Sequence, residues 1–175
     1  MVSSRLSVGT NPPAANDGTP EPKGATMSTS TDEKVTKDLI QTLEDGHKGF
    51  AEAAEKLIDS ERADLVPKMS TYSNQRLTFA NELRSMANAY GDDIKESGSI
   101  AGAAHRGWMA LADAFNGSGP DSVIKTAEQG EDHAVSEYEK ALAEDISSDL
   151  RTTINRQFGD VKAAHDDIRA LKNAL

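Results

Sequence analysis

Apolar residues recur every three or four positions along most of the chain after residue 31. This spacing is typical of the buried face of an amphipathic helix. No stretch alternates apolar and polar residues as a half-buried strand would. The first segment shows the pattern clearly, with apolar seam positions at Val35, Leu39, Leu43, Phe50, Ala53 and Leu57. We therefore predict an all-α domain.

Clusters of Gly, Pro, Asn, Asp and Ser interrupt the apolar pattern and divide it into five predicted helices. The first begins after Thr31 and ends at Asp59-Ser60. The second runs over about 61–90, and a shorter third over about 99–116. The fourth starts at Pro120, a residue that suits the first position of a helix, and the fifth starts after Ser147-Ser148.

The lengths of the connections predict the topology. Short connections join helix one to helix two and helix four to helix five, so each pair forms an antiparallel hairpin. The third helix lies in the long connection between the hairpins, and at about 1.5 Å per residue it can carry the chain from one end of a bundle to the other. We expect a ferritin-like four-helix bundle, with two antiparallel hairpins joined by a long crossover that carries a short fifth helix.

The N-terminal segment has a different composition. Four of the six prolines lie within residues 1–31, among many Ser, Thr, Gly and Asn residues. Such a segment buries too little apolar surface to offset the entropy lost on ordering. We predict a disordered tail over 1–31 and one bundle domain over 32–175; Met27 could be an alternative start.

Composition and charge exclude several functions. With 29 acidic and 19 basic residues, the formal charge is −10, which disfavours nucleic acid and anionic membrane as partners. The absence of cysteine excludes disulfides and thiolate metal ligands. No apolar run approaches the roughly 20 residues of a membrane span, and residues 1–31 do not show the apolar core of a secretory signal.

Polar residues interrupt the apolar seams at a few positions. Arg76, Glu131 and His165 each replace an apolar residue, and residues 45–47 straddle the first seam. Counting residues from the hairpin turns places all of them at a similar height in the bundle. Because buried charges without partners are costly, we expect these groups to pair with one another. The predicted polar core network consists of Asp45, Arg76, Glu131 and His165.

A metal site in the bundle is the alternative interpretation of the same residues. A di-iron bundle needs a Glu-x-x-His pair on each of two helices. The second helix has no such pair, and Lys162 lies three positions before His165. A mononuclear or degenerate site for iron or manganese could still use the ligands Glu44, His47, Glu128, Glu131 and His165.

Several short motifs are shared with a known family. They are Asp45-Gly46-x-x-Gly49-Phe50-x-x-Ala53-Ala54, Gly98-Ser99, Gly102-Ala103-x-His105-Arg106-Gly107-Trp108, Glu128-x-Gly130-Glu131-Asp132, Tyr138-x-x-Ala141-Leu142, Gln157 and His165-Asp166. Through them, residues from about 35 to 175 resemble a bacterial family of ferritin-like four-helix-bundle proteins of unknown function. The resemblance implies a small cytoplasmic bundle that self-associates, similar to proteins linked with stress responses. It supplies no metal ligands, and we interpret His105, Arg106, Gly107 and Trp108 as a packing motif.

Two hypotheses for function follow. The first is a non-enzymatic, stress-associated bundle that acts as a homodimer or other homo-oligomer, or through a protein partner, without a cofactor and without catalytic residues. The second is a ferritin-like protein that binds iron or manganese, with chemistry in oxidative stress. The orientation of Arg76 distinguishes them, because a guanidinium pointing into the site disfavours a divalent cation.

Overall fold

The computed structural model describes residues 25–89 and 119–175. The regular structure among these residues is entirely helical, with no strand, which confirms the predicted all-α class. The helices are α1 (Ala25–Leu57), α2 (Val66–Ala89), α3 (Pro120–Ala143) and α4 (Ser148–Asn173), with a 3₁₀ turn at Ala63–Leu65 before α2. The predicted helix over 99–116 lies outside the described residues, as do residues 1–24.

Two helices begin elsewhere than the sequence predicts. α1 starts at Ala25, within the segment 1–31 that the sequence assigns to the tail. The last proline and glycine before it are Pro22 and Gly24, so no helix breaker separates Ala25 from the amphipathic segment. α2 starts at Val66 rather than near residue 61, because Pro67 is tolerated only in the first turn of a helix.

The helices form a four-membered bundle. α1 packs along α2 and along α3, α4 packs along α3, and α4 touches α2 more lightly. α2 and α3 therefore lie diagonally opposite each other. Short connections make α1 antiparallel to α2 and α3 antiparallel to α4.

Two apolar clusters fill the interior, one towards each end. The first joins the N-terminal halves of α1 and α4 to the C-terminal halves of α2 and α3, and includes Val35, Leu39, Leu43, Phe79, Leu83, Ala134, Tyr138, Leu150, Ile154 and Val161. The second joins the opposite halves, and includes Phe50, Leu57, Leu65, Met69, Val123, Ile124 and Ile168. Thus α2 ends at one end of the bundle and α3 begins at the other.

A layer of different character separates the two clusters. Each helix contributes one residue that lies, along the bundle axis, between the two apolar clusters. These residues are Gly46 of α1, Arg76 of α2, Glu131 of α3 and His165 of α4. The three polar residues of this layer are buried. We call these four positions the central polar layer.

Candidate functional site

An ion pair crosses the middle of the bundle. Arg76 of α2 is 1% exposed and Glu131 of α3 is 2% exposed. The Nη2 of Arg76 donates a hydrogen bond of 2.6 Å to Oε2 of Glu131, and its Nη1 donates one of 2.5 Å to Oε1 of Gln75. α2 and α3 lie diagonally opposite each other and do not pack closely side by side. The ion pair therefore provides a direct link between these two helices.

The side chain of Arg76 is accommodated by two residues of α1. Gly46 leaves the room: a Cβ at this position would lie 3.3 Å from Cγ of Arg76. The ring of Phe50 lies with its centroid 5.7 Å from Cζ of Arg76, a distance at which the aromatic face attracts a cation. The Nε of Arg76 is buried and has no hydrogen-bond partner among the described residues.

Burial controls the ionisation of the acidic partner. Removal of Glu131 from water raises the pKa of its carboxyl group, and the nearby Arg76 opposes that shift. The short hydrogen bond from a guanidinium nevertheless favours the charged carboxylate. The layer therefore contains a paired charge rather than a free acid or base.

Asp45 does not join this pair. It accepts a hydrogen bond of 3.1 Å from Nε2 of Gln41, one turn earlier in α1. Its carboxylate is thus bonded within α1 and not to Arg76 or Glu131, although Asp45 and Glu131 line the same pocket between α1 and α3. The expected role of Asp45 as a partner of Arg76 and Glu131 is corrected accordingly.

His165 turns towards other carboxylates. Its Nε2 lies 2.8 Å from Oδ1 of Asp132 in α3, and its Nδ1 lies 3.0 Å from Oδ1 of Asp166. Both acids are exposed, whereas the imidazole is buried. The sequence predicts His165 near Glu131 but does not indicate Asp132 as its partner, because Asp132 lies off the apolar seam, although it belongs to one of the shared motifs.

A family model described as Domain of unknown function (DUF2383) matches residues 33–144, more than half of the chain. The chain belongs to the DUF2383 family. No curated protein matches it in a sequence search.

The candidate metal ligands of this DUF2383 chain point in different directions. Glu44 pairs with Arg84 of α2, and Nδ1 of His47 lies 2.8 Å from Oγ of Ser73. Glu128 faces α4, where Nζ of Lys172 lies 2.9 Å from its Oε2. Within 25–89 and 119–175, no three metal-ligating side chains form a group that could hold an ion.

A second polar network lies inside the apolar cluster that contains Tyr138. The hydroxyl of Tyr138 donates a hydrogen bond of 2.8 Å to Oε1 of Gln157. The Nε2 of Gln157 in turn donates to Oε2 of Glu82, at 2.8 Å, and to the carbonyl of Phe79. These hydrogen bonds link α3, α4 and α2. The sequence does not indicate them, because the apolar neighbour Phe158 fits the spacing of a buried face better than Gln157 does.

Two further expectations concern the rest of the molecule. The predicted packing motif His105, Arg106, Gly107 and Trp108 lies outside the described residues. Among the described helices, none has the length and apolar character needed to cross a bilayer.

Proposed function

We propose that this chain is a non-enzymatic, ferritin-like four-helix bundle that acts by association with itself, as a homodimer or other homo-oligomer, or with a protein partner. The parallel course of α2 and α3 supports the ferritin-like arrangement, because residues 90–118 must then connect opposite ends of the bundle. A cytoplasmic location and a role in bacterial stress responses belong to the same proposal, supported by the family resemblance. The formal charge of −10 supports a partner other than nucleic acid or an anionic membrane.

One observation carries this proposal: a guanidinium occupies the centre of the bundle, where a ferritin-like metal site would place its ion. Arg76 contacts Glu131 at 2.6 Å, and both side chains are almost completely buried. A divalent cation beside Glu131 would meet the positive charge of Arg76, and repulsion between charges is strong where the dielectric constant is low. The central carboxylate is therefore already neutralised by the protein.

The neighbouring carboxylates are engaged in the same way. Glu128 is 4% exposed and has two cations of α4 beside it, with Lys172 at 2.9 Å and Arg169 at 3.5 Å. Glu44 is paired with Arg84. A protein that binds iron or manganese at these residues would have to displace a lysine or arginine at each, so the metal-binding alternative has less support.

Sedimentation equilibrium of the untagged full chain, from low to high micromolar concentration, tests the association. In parallel, the protein is incubated anaerobically with iron(II) or manganese(II), desalted and assayed for bound metal by elemental analysis. We expect a reversible oligomer that retains far less than one metal ion per chain. A monomer that retains stoichiometric metal would contradict the proposal, whereas a metal-free monomer would restrict it to a protein partner.

A further inference from the structure

A pocket of about 50 Å³ lies between α1 and α3, beside the central polar layer. Three glycines, namely Gly46, Gly49 and Gly130, form part of its wall. A Cβ added at Gly130 would meet no atom within 4 Å, so this position faces open space. Since one buried water needs roughly 10–15 Å³ on this measure, the pocket admits a few heavy atoms, such as one edge of a large side chain.

The lining of the pocket is largely apolar. Phe50 and Ala127 contribute apolar side chains to it. Thr42 and Thr126 line it as well, but each hydroxyl donates its proton to a backbone carbonyl of its own helix, at 3.0 and 2.9 Å. Neither hydroxyl therefore needs a partner inside the pocket.

The ionisable side chains of the lining have partners or face water. Asp45 accepts a hydrogen bond from the amide of Gln41, and Glu131 is paired with Arg76. The side chain of His133 is 63% exposed, so it lies at the mouth of the pocket rather than inside it. The pocket is therefore suited to an apolar group and not to a charged one.

The connection over residues 90–118 has to run along the bundle. α2 ends beside one apolar cluster and α3 begins beside the other, so the two ends of the connection lie at opposite ends of the bundle. α2 has 24 residues, which corresponds to a length of about 36 Å at about 1.5 Å per residue. Because α2 and α3 lie diagonally opposite each other, the connection crosses the outer side of either α1 or α4.

The two flanks of α3 differ in polarity. On the flank that faces α4, Glu128 contacts Lys172 and Arg169, and Asp132 contacts His165. The flank that faces α1 contains the apolar pocket instead. A connection that carries apolar side chains gains more by covering the second flank, since burial of apolar surface is favourable.

The helix predicted from the sequence over 99–116 carries such side chains, and the largest of them falls at the height of the pocket. Gly130 lies ten residues after Pro120, or about 15 Å along α3 at about 1.5 Å per residue. Trp108 lies twelve residues before Pro120, or about 18 Å away at the same rise. The two positions therefore agree to within one helical turn. The remaining large apolar residues of the segment are Ile100, Met109, Leu111 and Phe115.

We propose that residues 99–116 dock along the boundary between α1 and α3, with one edge of the indole ring of Trp108 inside the pocket. The ring of Phe50 in the wall offers an aromatic contact to the indole. This boundary is then occupied by the chain itself, so the association described under the proposed function uses other faces of the bundle. The docking does not depend on the association state, and the two proposals can fail separately.

The fluorescence of the full-length protein gives the first test. Trp108 is the only tryptophan in the sequence, so the emission reports on this side chain alone. We expect the emission maximum to lie at a shorter wavelength than in the urea-unfolded chain, and acrylamide to quench the native protein several-fold less. Emission and quenching equal to those of the unfolded chain would overturn the proposal and leave the pocket open to a partner protein.

Variants of two glycines identify the site. Gly130→Leu fills the pocket and should displace the ring, with a shift of the emission to longer wavelength and a several-fold increase in quenching. Gly159→Leu is the matched control, since an added Cβ there also meets no atom within 4 Å but the residue lies on α4. Far-UV circular dichroism establishes that both variants are folded. No change in Gly130→Leu, or equal changes in both variants, would contradict the proposed location.

Nuclear Overhauser contacts in the wild-type protein locate the ring without any substitution. We expect contacts from the indole protons of Trp108 to the α protons of Gly49 and Gly130 and to the ring of Phe50. Contacts to residues of α4 instead would overturn the proposal. In a sample that mixes ¹³C-labelled and unlabelled chains, contacts confined to single chains would support docking within one chain. Contacts between the two kinds of chain would show that a second copy supplies the ring, which would contradict it.

Discussion

Arg76 crosses directly over Gly46: its Cγ and Cδ lie 3.3 and 3.5 Å from the point where a Cβ of residue 46 would be. A glycine inside a helix costs about 1 kcal/mol relative to alanine. The close passage of Arg76 explains why α1 has a glycine at position 46. The space allows the stem of Arg76 to lie against the helix while its guanidinium reaches Glu131 on the far side of the bundle.

We predict that Gly46→Ala does not yield the usual gain in helix stability. The new methyl group would press on the Arg76 stem, which is buried and held at its head by Glu131. We expect the free energy of unfolding to fall by about 1 kcal/mol, a typical effect of overpacking. Urea unfolding followed by circular dichroism measures it.

Gly159→Ala is the control for this prediction. Gly159 lies in α4, where an added Cβ meets no atom within 4 Å. We expect this variant to be more stable than the wild type by up to about 1 kcal/mol. Equal stabilisation by Gly46→Ala and Gly159→Ala would show that Arg76 does not restrict position 46.

The buried hydroxyl of Tyr138 leads to a second prediction. Tyr138→Phe keeps the ring but removes the donor to Gln157, leaving a buried acceptor without its partner. The expected loss in the free energy of unfolding is about 1–2 kcal/mol. Tyr72→Phe should cost less, because Asp167, the acceptor of the Tyr72 hydroxyl, is partly exposed and keeps Lys68 as a partner. The opposite order of the two losses would contradict the assigned burial.

Asp167 accounts for part of the dependence of folding stability on pH. The hydrogen bonds from Lys68 and Tyr72 hold the pKa of its carboxyl group below the ordinary value. The unfolded chain therefore takes up this proton at a higher pH than the folded chain does. The stabilising contribution is complete above the ordinary pKa of about 3.9 and is lost as the pH falls through the folded value.

In the Asp167→Asn variant, the free energy of unfolding should decrease less steeply as the pH is lowered below neutrality. Because the group is partly exposed, the difference at neutral pH should stay below about 1 kcal/mol. Urea midpoints between pH 7 and pH 3 measure the effect. Asp160→Asn, an exposed position on the same helix, is the control, and an equal flattening in that variant would show that the bonds of Asp167 are not the cause.

The heights of the core residues could be predicted from the sequence, since they depend on two regular quantities. A helix rises by a constant amount per residue, and short turns fix where the helices of a hairpin start. Counting from the turns therefore placed Arg76, Glu131 and His165 near one level. Their polarity within apolar seams identified them as residues that need partners.

The directions of the side chains could not be predicted in this way. A seam shows that His165 is buried, but its partner Asp132 belongs to the polar side of α3. Lys172 reaches Glu128 through a long flexible stem, so its position on a half-exposed face gave no sign of the contact. The early start of α1 was missed because a capping residue, Thr31, also fits the interior of a helix.

The free energy of unfolding of three variants tests the structural role of the central pair most directly. Arg76→Met leaves the Glu131 carboxylate buried without its cation, and Glu131→Leu leaves the guanidinium buried without its anion. Each single change should cost about 3–5 kcal/mol, whereas the double variant should lie close to the wild type, because two apolar side chains of similar size replace the pair. The account predicts a large coupling between the two residues in this double-mutant cycle. Additive losses, with the double variant the least stable of the three, would contradict it.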